Sequence, residues 1–429
     1  MDDMKVHGHR AKRKILLVTA YAEYPLRAAS FDHLYAFRRY SEDDVYYLNL
    51  VFKKVPRYVR KVDFDLIIFH TFFLTNHWRG PDHFRKMLKR AETLKDSSAV
   101  KVMLPQDEFV YSDLLCEFIN KFKIDIVFSV APPDTWRAIY RKVNFNRVRF
   151  SRVLSGYLDE NKLQQIVPSE QSLDHRPVDI GYRTAGKPFY WFGRHGFLKQ
   201  TIADIFRERA PAKGLVTDIS TEEKDAIRGQ EWYRFLASCK YTIGVESGTG
   251  LIDCNGSIRE CTDQYLRKHP HAKMEEVEAA CFPGMDGSVP LYAISPRHLE
   301  CCATRTCQIL TEGDYNGILQ PGVHYLSLKK DFSNFDDVLN EVVLDRKRSQ
   351  LVKRAFEDVV ASGHYTYKKF VDTIMEQSLA ASLPKVVSRH RRLLARIVFN
   401  WMRAVETWEH LMMRTLSPIK PFLRKFMRA

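Results

Sequence analysis

Residues 65–72 read DLIIFHTF, a short run of large apolar side chains in which polar and apolar positions do not alternate. Continuous hydrophobicity over so few residues is typical of a strand covered on both faces, as in a parallel sheet. Helix-length segments at 81–93 and 112–121 lie between runs of this kind, which is the βαβ rhythm of a doubly wound α/β sheet. The other runs are KILLVTAY at 14–21, VKVMLPQ at 100–106 and IDIVFSV at 124–130.

The same rhythm occurs a second time after a polar, turn-rich break at 156–177. The apolar runs of this second series are VDIGYR at 178–183, GLVTDIS at 214–220, KYTIGVES at 240–247, CQILTEG at 307–313 and HYLSL at 324–328. A chain of 429 residues is also too long for one typical hydrophobic core. We therefore predict an α/β protein of two Rossmann-like domains that face a cleft. The predicted segments are a basic tail 1–13, an N-terminal domain 14–155, a linker 156–177, a C-terminal domain 178–380 and a basic helical tail 384–429.

The formal net charge of +15 is concentrated at the end of the chain. Residues 385–429 contain eleven Lys and Arg against two Glu, which leaves +6 for the rest. The folded body has no basic stripe with interleaved aromatic residues, so we expect no nucleic-acid partner. In the tail, Arg alternates with Leu, Ile, Phe, Trp and Met at helical spacing, and Pro418 and Pro421 are expected to end the helix. This pattern predicts a helix that binds an anionic membrane surface. The alternative is a helix packed on the body with a solvated Arg face.

The eight cysteines include no CxxC pair, and the spacing of Cys301, Cys302 and Cys307 does not suit a metal. We expect small buried thiols in a reducing cytoplasm, with no metal site. The sequence shows neither a signal peptide nor an apolar stretch long enough to cross a bilayer. The expected location is therefore cytoplasmic, with peripheral attachment to the inner face of the membrane.

Ligands of open α/β sheets bind beyond the carboxyl ends of the strands, so the ends of the predicted strands are candidate binding positions. In the second series, Arg183 follows VDIGY and Asp218 follows GLVT. Ser247 and Gly248 belong to the small, Gly-rich turn that follows KYTIGV, where a ligand can approach the backbone closely. An ordinary loop is the alternative for this turn.

The stretch SPRHLECCATRTCQIL at 295–310 contains one carboxylate, Glu300, among small and apolar residues. Ser295 followed by Pro296 is a helix-start signal, so Glu300 falls about one turn into the predicted helix. A buried carboxylate is rarely left without a partner. Facing the cleft, Glu300 is placed to accept two hydrogen bonds from a vicinal diol such as the ribose of a nucleotide.

Residues 297–310 resemble a signature of the GT-B glycosyltransferases, in particular the glycosyl transferases group 1 family and its bacterial polysaccharide-cluster and spore-maturation members. That signature has the form R-x-x-E-A-x-A-x-G-T followed by an apolar strand, and this chain has RHLECCATRTCQIL. The segment EGDYNGILQPGVHYLSLKKDFSNFDDVL that follows, and LPQDEFVYSD and VLSGYLDEN in the N-terminal half, are also similar to the family. The resemblance extends over residues 14–375 and is strongest at 178–340.

The resemblance implies a nucleoside-diphosphate sugar as donor substrate, with no further cofactor. It places Arg297 within the donor signature, Glu300 on the ribose and Thr306 near the diphosphate. The basic pair that grips the diphosphate is left open among Arg183, Arg194 and Lys199. The chain departs from the family pattern at two positions. Tyr292 stands eight residues before Glu300, where the family has a second glutamate, and Arg305 stands where it has Gly.

If the reaction inverts the anomeric centre, an acceptor-side base is expected from the N-terminal domain. The candidates are Asp107 and Glu108 in PQDEF and His70 after DLIIF. Asp107 is alternatively a helix cap, and His70 alternatively the satisfied end of a strand. Asp253, near the end of SGTGLID, is a further candidate for contact with the donor sugar. We interpret the D-x-D of Asp63 and Asp65 as structural, because it precedes a strand.

Together these observations predict a glycosyltransferase of the hexosyltransferase type that passes a sugar to a glycan or lipid-linked acceptor in cell-surface polysaccharide synthesis. Two alternatives remain open. One is a nucleotide-sugar epimerase or a phosphorylase, since the fold does not determine the reaction. The other is a catalytically degenerate scaffold that binds glycan or membrane, and Tyr292 in the usual acidic position is its best support.

Overall fold

The computed structural model describes residues 12–23, 26–166, 175–184, 189–380 and 389–416. Most of the predicted N-terminal tail 1–13 lies outside the described residues, as do 167–174 of the predicted linker. Residues 381–388 and 417–429 of the basic tail, with Pro418 and Pro421, also lie outside them.

The N-terminal half is built on a six-stranded parallel sheet with the order β2-β1-β3-β4-β5-β6. Its strands are β1 (Lys14–Thr19), β2 (Asp44–Asn49), β3 (Leu66–Phe69), β4 (Val100–Met103), β5 (Ile126–Ser129) and β6 (Arg149–Arg152). Leu16 lies opposite Tyr46 on one side and Ile67 on the other, so β1 is the strand at which the order reverses.

Helices cover both faces of this sheet. They are α1 (Ala28–Tyr40), α2 (Thr71–Leu74), α3 (Pro81–Ala91), α4 (Ser112–Phe122), α5 (Trp136–Ile139) and α6 (Glu160–Ile166). α3 shows why these segments are helical: Pro81 stands in its first turn, and Phe84, Met87, Leu88 and Ala91 recur at helical spacing and are buried. The apolar stripe therefore packs on the sheet, with the charged residues outside.

The C-terminal half is built on a five-stranded parallel sheet with the order β13-β12-β9-β7-β8. Its strands are β7 (Val178–Arg183), β8 (Thr217–Ser220), β9 (Cys239–Gly244), β12 (Cys307–Thr311) and β13 (Tyr325–Leu328). The short strands β10 (Ser247–Thr249) and β11 (Leu291–Ala293) form a separate antiparallel pair. The order of the main sheet reverses between β7 and β9. The prediction of two Rossmann-like domains is confirmed by these two parallel sheets.

The remaining helices belong to the second half of the chain. They are α7 (Arg194–Arg209), α8 (Gln230–Ser238), α9 (Ser257–Lys268), α10 (Met274–Cys281), α11 (Pro296–Ala303), α12 (Phe335–Leu344), α13 (Arg348–Ala355), α14 (Tyr367–Leu379) and α15 (Arg389–Leu416). A disulfide joins Cys261 on α9 to Cys281 on α10, so the expectation that every cysteine is a free thiol is wrong for this pair. The other six are free, and five of them are buried.

Two segments of the predicted C-terminal domain pack on the N-terminal half instead. Tyr367, Phe370 and Ile374 of α14 are fully buried in the same cluster as α1 and the first strands. The segment from β10 to β11, which contains α9 and α10, contributes Ile258 and Val277 to the other N-terminal cluster. The predicted C-terminal domain, 178–380, is one continuous segment of the chain. In the structure, α9, α10 and α14 of this segment pack with the N-terminal half.

The predicted strands were found, most of them with shorter bounds, but β2 and β6 of the parallel sheets and the antiparallel pair β10 and β11 were missed. β2 and β6 are the edges of the N-terminal sheet, and neither is a continuous apolar run: β2 reads DVYYLN and β6 reads RFSR. A pattern that detects only strands buried on both faces passes over such edges. In the part of the chain that the structure describes, no helix combines the length and apolar character needed to span a membrane.

Candidate functional site

Two adjoining cavities lie between the two halves of the molecule. The N-side cavity, of about 450 Å³, is lined chiefly by loops of the N-terminal sheet, and the C-side cavity, of about 380 Å³, by the C-terminal half. Arg27, Ala29, Ser247 and Pro296 line both, so the cavities are two compartments of one cleft. Ligand pockets of proteins have volumes of several hundred Å³, and the cleft is large enough for a ligand with two parts.

Both cavities lie where the strand order of their sheet reverses. The loop after β1 and the end of β3 supply Arg27 and His70 to the N-side cavity, and the loop after β4 supplies Asp107. Arg183 at the end of β7 and Gly244 at the end of β9 line the C-side cavity. The crevice at such a reversal, beyond the carboxyl ends of the strands, is the usual ligand position of open α/β sheets.

Glu300 lies in the wall of the C-side cavity, on α11. Ser295 precedes this helix and Pro296 is in its first turn, as predicted, and Glu300 is 6% exposed. Its Oε2 accepts a hydrogen bond of 2.7 Å from the indole N–H of Trp232 on α8. Burial raises the pKa of Glu300, while the Trp232 hydrogen bond and the charge of Arg297 lower it in part. Trp232 therefore orients the Glu300 carboxylate at the cavity wall with its single N–H donor.

Four basic residues of the C-terminal half line the same cavity: Arg183, Lys199, Arg228 and Arg297. Arg228 forms an ion pair of 2.8 Å with Glu23. Arg183 forms an ion pair of 2.6 Å with Asp218 and also donates to the Asp218 carbonyl. The Arg297 guanidinium lies over the rings of Tyr182 and Trp232 at 5.0 and 5.3 Å. Asp218 itself does not line the cavity and contributes only through Arg183.

Lys199, on α7, is the fourth of these basic residues. Burial, and to a lesser extent the charge of Arg297, lower the pKa of Lys199 to about 8, although the charge of Asp107 opposes the shift. An anion bound in the cleft would stabilise the charged form of this lysine, which burial and the neighbouring arginine disfavour. The C-side cavity therefore presents an anion-binding corner next to Glu300.

Arg27 is a residue that the sequence analysis missed. It immediately precedes α1, is exposed to the cleft and lines both cavities. Within the described residues, its guanidinium has neither an ion-pair partner nor a hydrogen-bond partner. The available signal was its position: the loop after the first strand of a doubly wound sheet leads to the reversal of strand order.

In the N-side cavity, Asp107 is the carboxylate that is open to the cleft. Its backbone is left-handed, with φ of 54°, which is uncommon for a residue other than glycine and is found at functional sites. Surrounding protein raises the pKa of Asp107, and the charge of Lys199 on the other half of the molecule lowers it in part. Asp107 and Lys199 therefore interact across the cleft.

Glu108 also lines the N-side cavity, but its oxygens are occupied. They accept hydrogen bonds from the Ser129 hydroxyl at 2.7 and 3.0 Å, from the Val130 N–H at 2.9 Å and from the Tyr140 hydroxyl. Burial raises the pKa of Glu108 to about 7, since it outweighs these hydrogen bonds. These hydrogen bonds join the loop after β4 to the loop after β5, so Glu108 has a structural role.

His70 is likewise occupied at both ring nitrogens. The Phe72 N–H donates to Nδ1 at 3.2 Å, so the proton is assigned to Nε2, which donates to Nδ1 of His33 at 2.9 Å. Burial lowers the pKa of both rings, that of His33 to about 4. His70 therefore has no lone pair left to take a proton from a bound molecule, and it caps α2 instead.

Besides Asp218, two more of the predicted residues, Thr306 and Arg194, line neither cavity. The Thr306 hydroxyl donates to the Leu236 carbonyl at 2.7 Å and accepts from Arg176 at 3.1 Å, in a buried network outside both cavities. Arg194 is exposed, forms an ion pair with Asp286 at 3.2 Å and likewise lines neither cavity. Thr306 therefore lies away from both cavities in this structure. Of the three candidates for the basic pair, Arg183 and Lys199 line the C-side cavity and Arg194 does not.

The Gly-rich turn forms β10, and its backbone requires glycine. Gly248 has φ of 104°, and a Cβ there would lie 1.9 Å from the Leu291 carbonyl oxygen across the strand pair. This pairing holds Ser247 and Gly248 at the cavity wall. Asp253 lines neither cavity, because its oxygens accept from the Gly256 and Arg259 N–H groups and cap α9.

No group of three His, Cys, Asp or Glu side chains arranged to hold a metal ion occurs among the residues that the structure describes. In the D-x-D sequence, the Asp65 carboxylate accepts from the Lys14 N–H at 2.8 Å, at the start of β1. This end of the sheet is opposite to the cleft, which agrees with the structural interpretation of the pair.

Comparisons with known proteins find similarity in fold alone. Neither a family model nor a curated protein sequence matches the chain. Among solved structures, Anabaena HepE with UDP-glucose is 10% identical with a TM-score of 0.49, over 85% of this chain and 98% of that one. T4 phage BGT with UDP-glucose is 12% identical with a TM-score of 0.48, over 85% and 99%. Sucrose-phosphate synthase from Thermosynechococcus elongatus is 11% identical with a TM-score of 0.46, over 86% and 100%.

Proposed function

We propose that this protein is a GT-B glycosyltransferase that moves a hexose from a nucleoside-diphosphate sugar to a glycan or lipid-linked acceptor. The observation that carries the proposal is the set of charges in the cleft. One buried carboxylate, Glu300, lies beside Arg27, Lys199 and Arg297, in a cavity that adjoins a second cavity containing Asp107. A nucleoside diphosphate has a diol and a diphosphate a short distance apart, and this arrangement is complementary to both.

In this proposal the C-side cavity holds the nucleotide. Glu300 accepts hydrogen bonds from the ribose hydroxyls, with its orientation fixed by Trp232. Lys199 and Arg297 bind the diphosphate, and Arg27 meets it from the N-terminal half. Positive groups fixed where negative charge develops on the leaving diphosphate stabilise the transition state more than the ground state. Charge-assisted hydrogen bonds of this kind are also the stronger ones.

The acceptor occupies the N-side cavity, and Asp107 is the group placed to take the proton of its attacking hydroxyl. A carboxylate whose pKa is raised by its surroundings is a better base near neutral pH than an ordinary aspartate. This role requires a reaction that inverts the anomeric centre. Glu108 and His70 are excluded from it by their own hydrogen bonds, described above.

We further propose that the reaction serves cell-surface polysaccharide synthesis at the cytoplasmic face of the membrane. The basic tail, residues 385–429, carries eleven of the Lys and Arg residues and would bring the body to an anionic lipid surface. Several basic residues, each contributing about 1 kcal/mol near such a surface, are sufficient for reversible attachment. An acceptor linked to lipid would then be within reach of the cleft.

The decisive experiment is a thermal-stability titration of the purified protein with UDP-, GDP-, dTDP- and ADP-linked sugars, followed by the variant Glu300→Gln. A ligand that binds only the folded chain raises the melting temperature by mass action. We expect one nucleotide to raise it, and Glu300→Gln to weaken that nucleotide about tenfold or more, because a hydrogen bond to a charged group contributes about 1.5–3 kcal/mol. The matched control is Glu246→Gln, a buried carboxylate of the same half that lines neither cavity.

Three outcomes would count against the proposal. Unchanged affinity in Glu300→Gln would remove the ribose assignment. Release of an altered nucleotide sugar, with no glycosylated product, would indicate the epimerase. Binding without turnover in the presence of membranes and acceptor extracts would indicate the degenerate scaffold.

A further inference from the structure

The last helix, α15, is buried on one face and apolar on the other. Val398, Met402 and Met413 are buried on the N-terminal half, and Phe399 stacks on Tyr46 of β2. The opposite face carries a row of large apolar side chains that are 57–59% exposed, which we call the outer stripe: Leu393, Ile397, Trp401, Trp408 and Leu411. At 100° per residue these five positions fall within about a quarter of the helix circumference. Exposed apolar rows of this size mark interaction sites.

The charges of α15 are sorted in the same way. Both of its acidic residues point at the body, where Glu406 pairs with Arg38 at 2.7 Å and Glu409 pairs with Lys53. The exposed charges beside the outer stripe are all positive: Arg396, Arg403 and Arg414. Their intervals of seven and eleven residues place these three on one line along the helix. The outer surface of α15 is therefore apolar and cationic, because both of its carboxylates face the body.

A second basic segment lies beside α15, and it belongs to the N-terminal half. Lys53 forms an ion pair with Glu409, so the loop after β2 borders the helix. This loop reads FKKVPRYVRK at 52–61, and it exposes Phe52 together with the cations Lys54, Arg57, Arg60 and Lys61. Within the described ranges, none of these four cations forms an ion pair.

The two segments border the outer stripe on opposite sides. By its helix angle Glu409, which pairs with Lys53 of the loop, lies on one side of the stripe, and Arg396, Arg403 and Arg414 lie on the other. A row of Trp, Leu and Ile bounded by cations on both sides matches the layers of an anionic bilayer surface: acyl chains in the middle and phosphates around them. Two copies of this chain would instead bring like charges together.

We propose that α15 and the loop 52–61 form one composite surface that docks on anionic phospholipid. The inference rests on the membrane contact proposed above for the tail and goes beyond it. It assigns four of the seven cations named above to the N-terminal half, and it names the face that enters the bilayer. It also orients the cleft. His410, near the end of α15, bonds the hydroxyls of Tyr21 and Tyr35 at 2.9 and 2.7 Å. Since Tyr21 follows β1, this end of α15 reaches the sheet edge at which the cleft opens.

The test is flotation of the full-length protein with vesicles of phosphatidylcholine, either alone or mixed with phosphatidylglycerol. We expect binding to the mixed vesicles only, and weaker binding as salt is raised. Arg57→Gln/Arg60→Gln should reduce the affinity about 30-fold, because each basic residue near such a surface contributes about fivefold. The matched control is Arg267→Gln/Lys268→Gln, an exposed pair on α9 that carries the same charge change and should leave the affinity unchanged.

The apolar part is tested separately with Trp401→Ser/Trp408→Ser, for which Leu344→Ser, 52% exposed on α12, is the control. Loss of flotation in the Trp variant alone supports insertion of the outer stripe. Full binding by the Arg57/Arg60 variant would overturn the composite surface, even if deletion of 385–429 released the protein. A Trp-dependent dimer in sedimentation, without vesicle binding, would show that the stripe pairs with a second copy. Nucleotide affinity, measured without vesicles, reports separately on the proposed transferase site.

Discussion

The two sides of the cleft differ in what their polar groups are already doing. On the C-terminal side, Lys199, Arg297 and Glu300 line the cavity, and their contacts orient them without occupying all of their hydrogen-bonding atoms. On the N-terminal side, most polar groups are paired with each other. Glu108 serves three donors, and the ring nitrogens of His70 are both occupied.

This difference shows that a polar residue at a strand end is a candidate only until its hydrogen bonds are counted. Asp107 and Glu108 are adjacent in sequence and follow the same strand, yet only Asp107 points its carboxylate into open space. The backbone of Asp107 is left-handed, with φ of 54°. The predictions below test whether this division of labour is correct.

The largest effect is expected from Asp107→Asn. If Asp107 is the base, removal of its charge should lower kcat by about 10²–10⁴-fold while nucleotide affinity stays the same. The wild-type rate should rise with pH as Asp107 loses its proton, and the raised pKa moves this rise toward neutral pH. Measurement of nucleoside-diphosphate release against pH, for both proteins, tests the role.

The matched variant is Glu108→Gln, in the same cavity and one residue away. We expect it to retain most of the activity at temperatures where it is folded, because its carboxylate faces Ser129 and Tyr140 instead of the substrate. Equal losses of kcat in the two variants would remove the distinction between them. An Asp107→Asn enzyme that keeps full activity would point to a reaction without an acceptor-side base.

Glu108 should instead affect how the free energy of unfolding depends on pH. The folded chain holds the Glu108 proton up to about pH 7, whereas the unfolded chain releases it near pH 4. The stability that this proton contributes is therefore complete below about pH 4 and is lost as the pH rises to 7. The shift corresponds to a fall of about 3 kcal/mol in the free energy of unfolding over that interval.

Urea denaturation at a series of pH values measures this fall, and Glu108→Gln should remove most of it. Other groups also titrate in this interval, so the comparison is between the slopes of the two proteins. Parallel slopes would show that Glu108 is ionised in the folded state, and its neighbours would then have to be reassigned as partners of a charge.

The sequence was informative where a feature is local. Ser295 and Pro296 mark the start of α11, and the small residues around Glu300 indicate a buried carboxylate, and the structure has both features. The role of Glu300 at the ribose stays a prediction. The buried strands were predicted for the same reason: covered faces leave continuous apolar runs.

The sequence was uninformative where the outcome depends on distant partners. Thr306 fits the signature by position, but Arg176 and Leu236, far away in sequence, take its hydroxyl. The partner of Glu300, Trp232, is 68 residues away. Arg27 matches no motif, and it becomes a candidate only when the strand order places the loop after β1 at the cleft. The tail was predicted as amphipathic, but the burial of one face on β2 required the structure.

The smallest effect, and the sharpest comparison, concerns two arginines at helix starts. Arg27 precedes α1 and lines both cavities, and no partner of its guanidinium occurs among the residues that the structure describes. Arg194 begins α7 and is paired with Asp286 and Glu278. Arg27→Ala should weaken a nucleoside diphosphate by about 10- to 100-fold, because a charge-assisted hydrogen bond contributes about 1.5–3 kcal/mol. Arg194→Ala should leave the affinity unchanged.

Calorimetric titration with the diphosphate and then the monophosphate of the same nucleoside shows which phosphate Arg27 contacts. If Arg27 contacts the outer phosphate, its loss weakens binding of the diphosphate alone. Equal weakening of both ligands would place Arg27 on the inner phosphate, and weakening by Arg194→Ala would mean that its ion pairs open when the nucleotide binds.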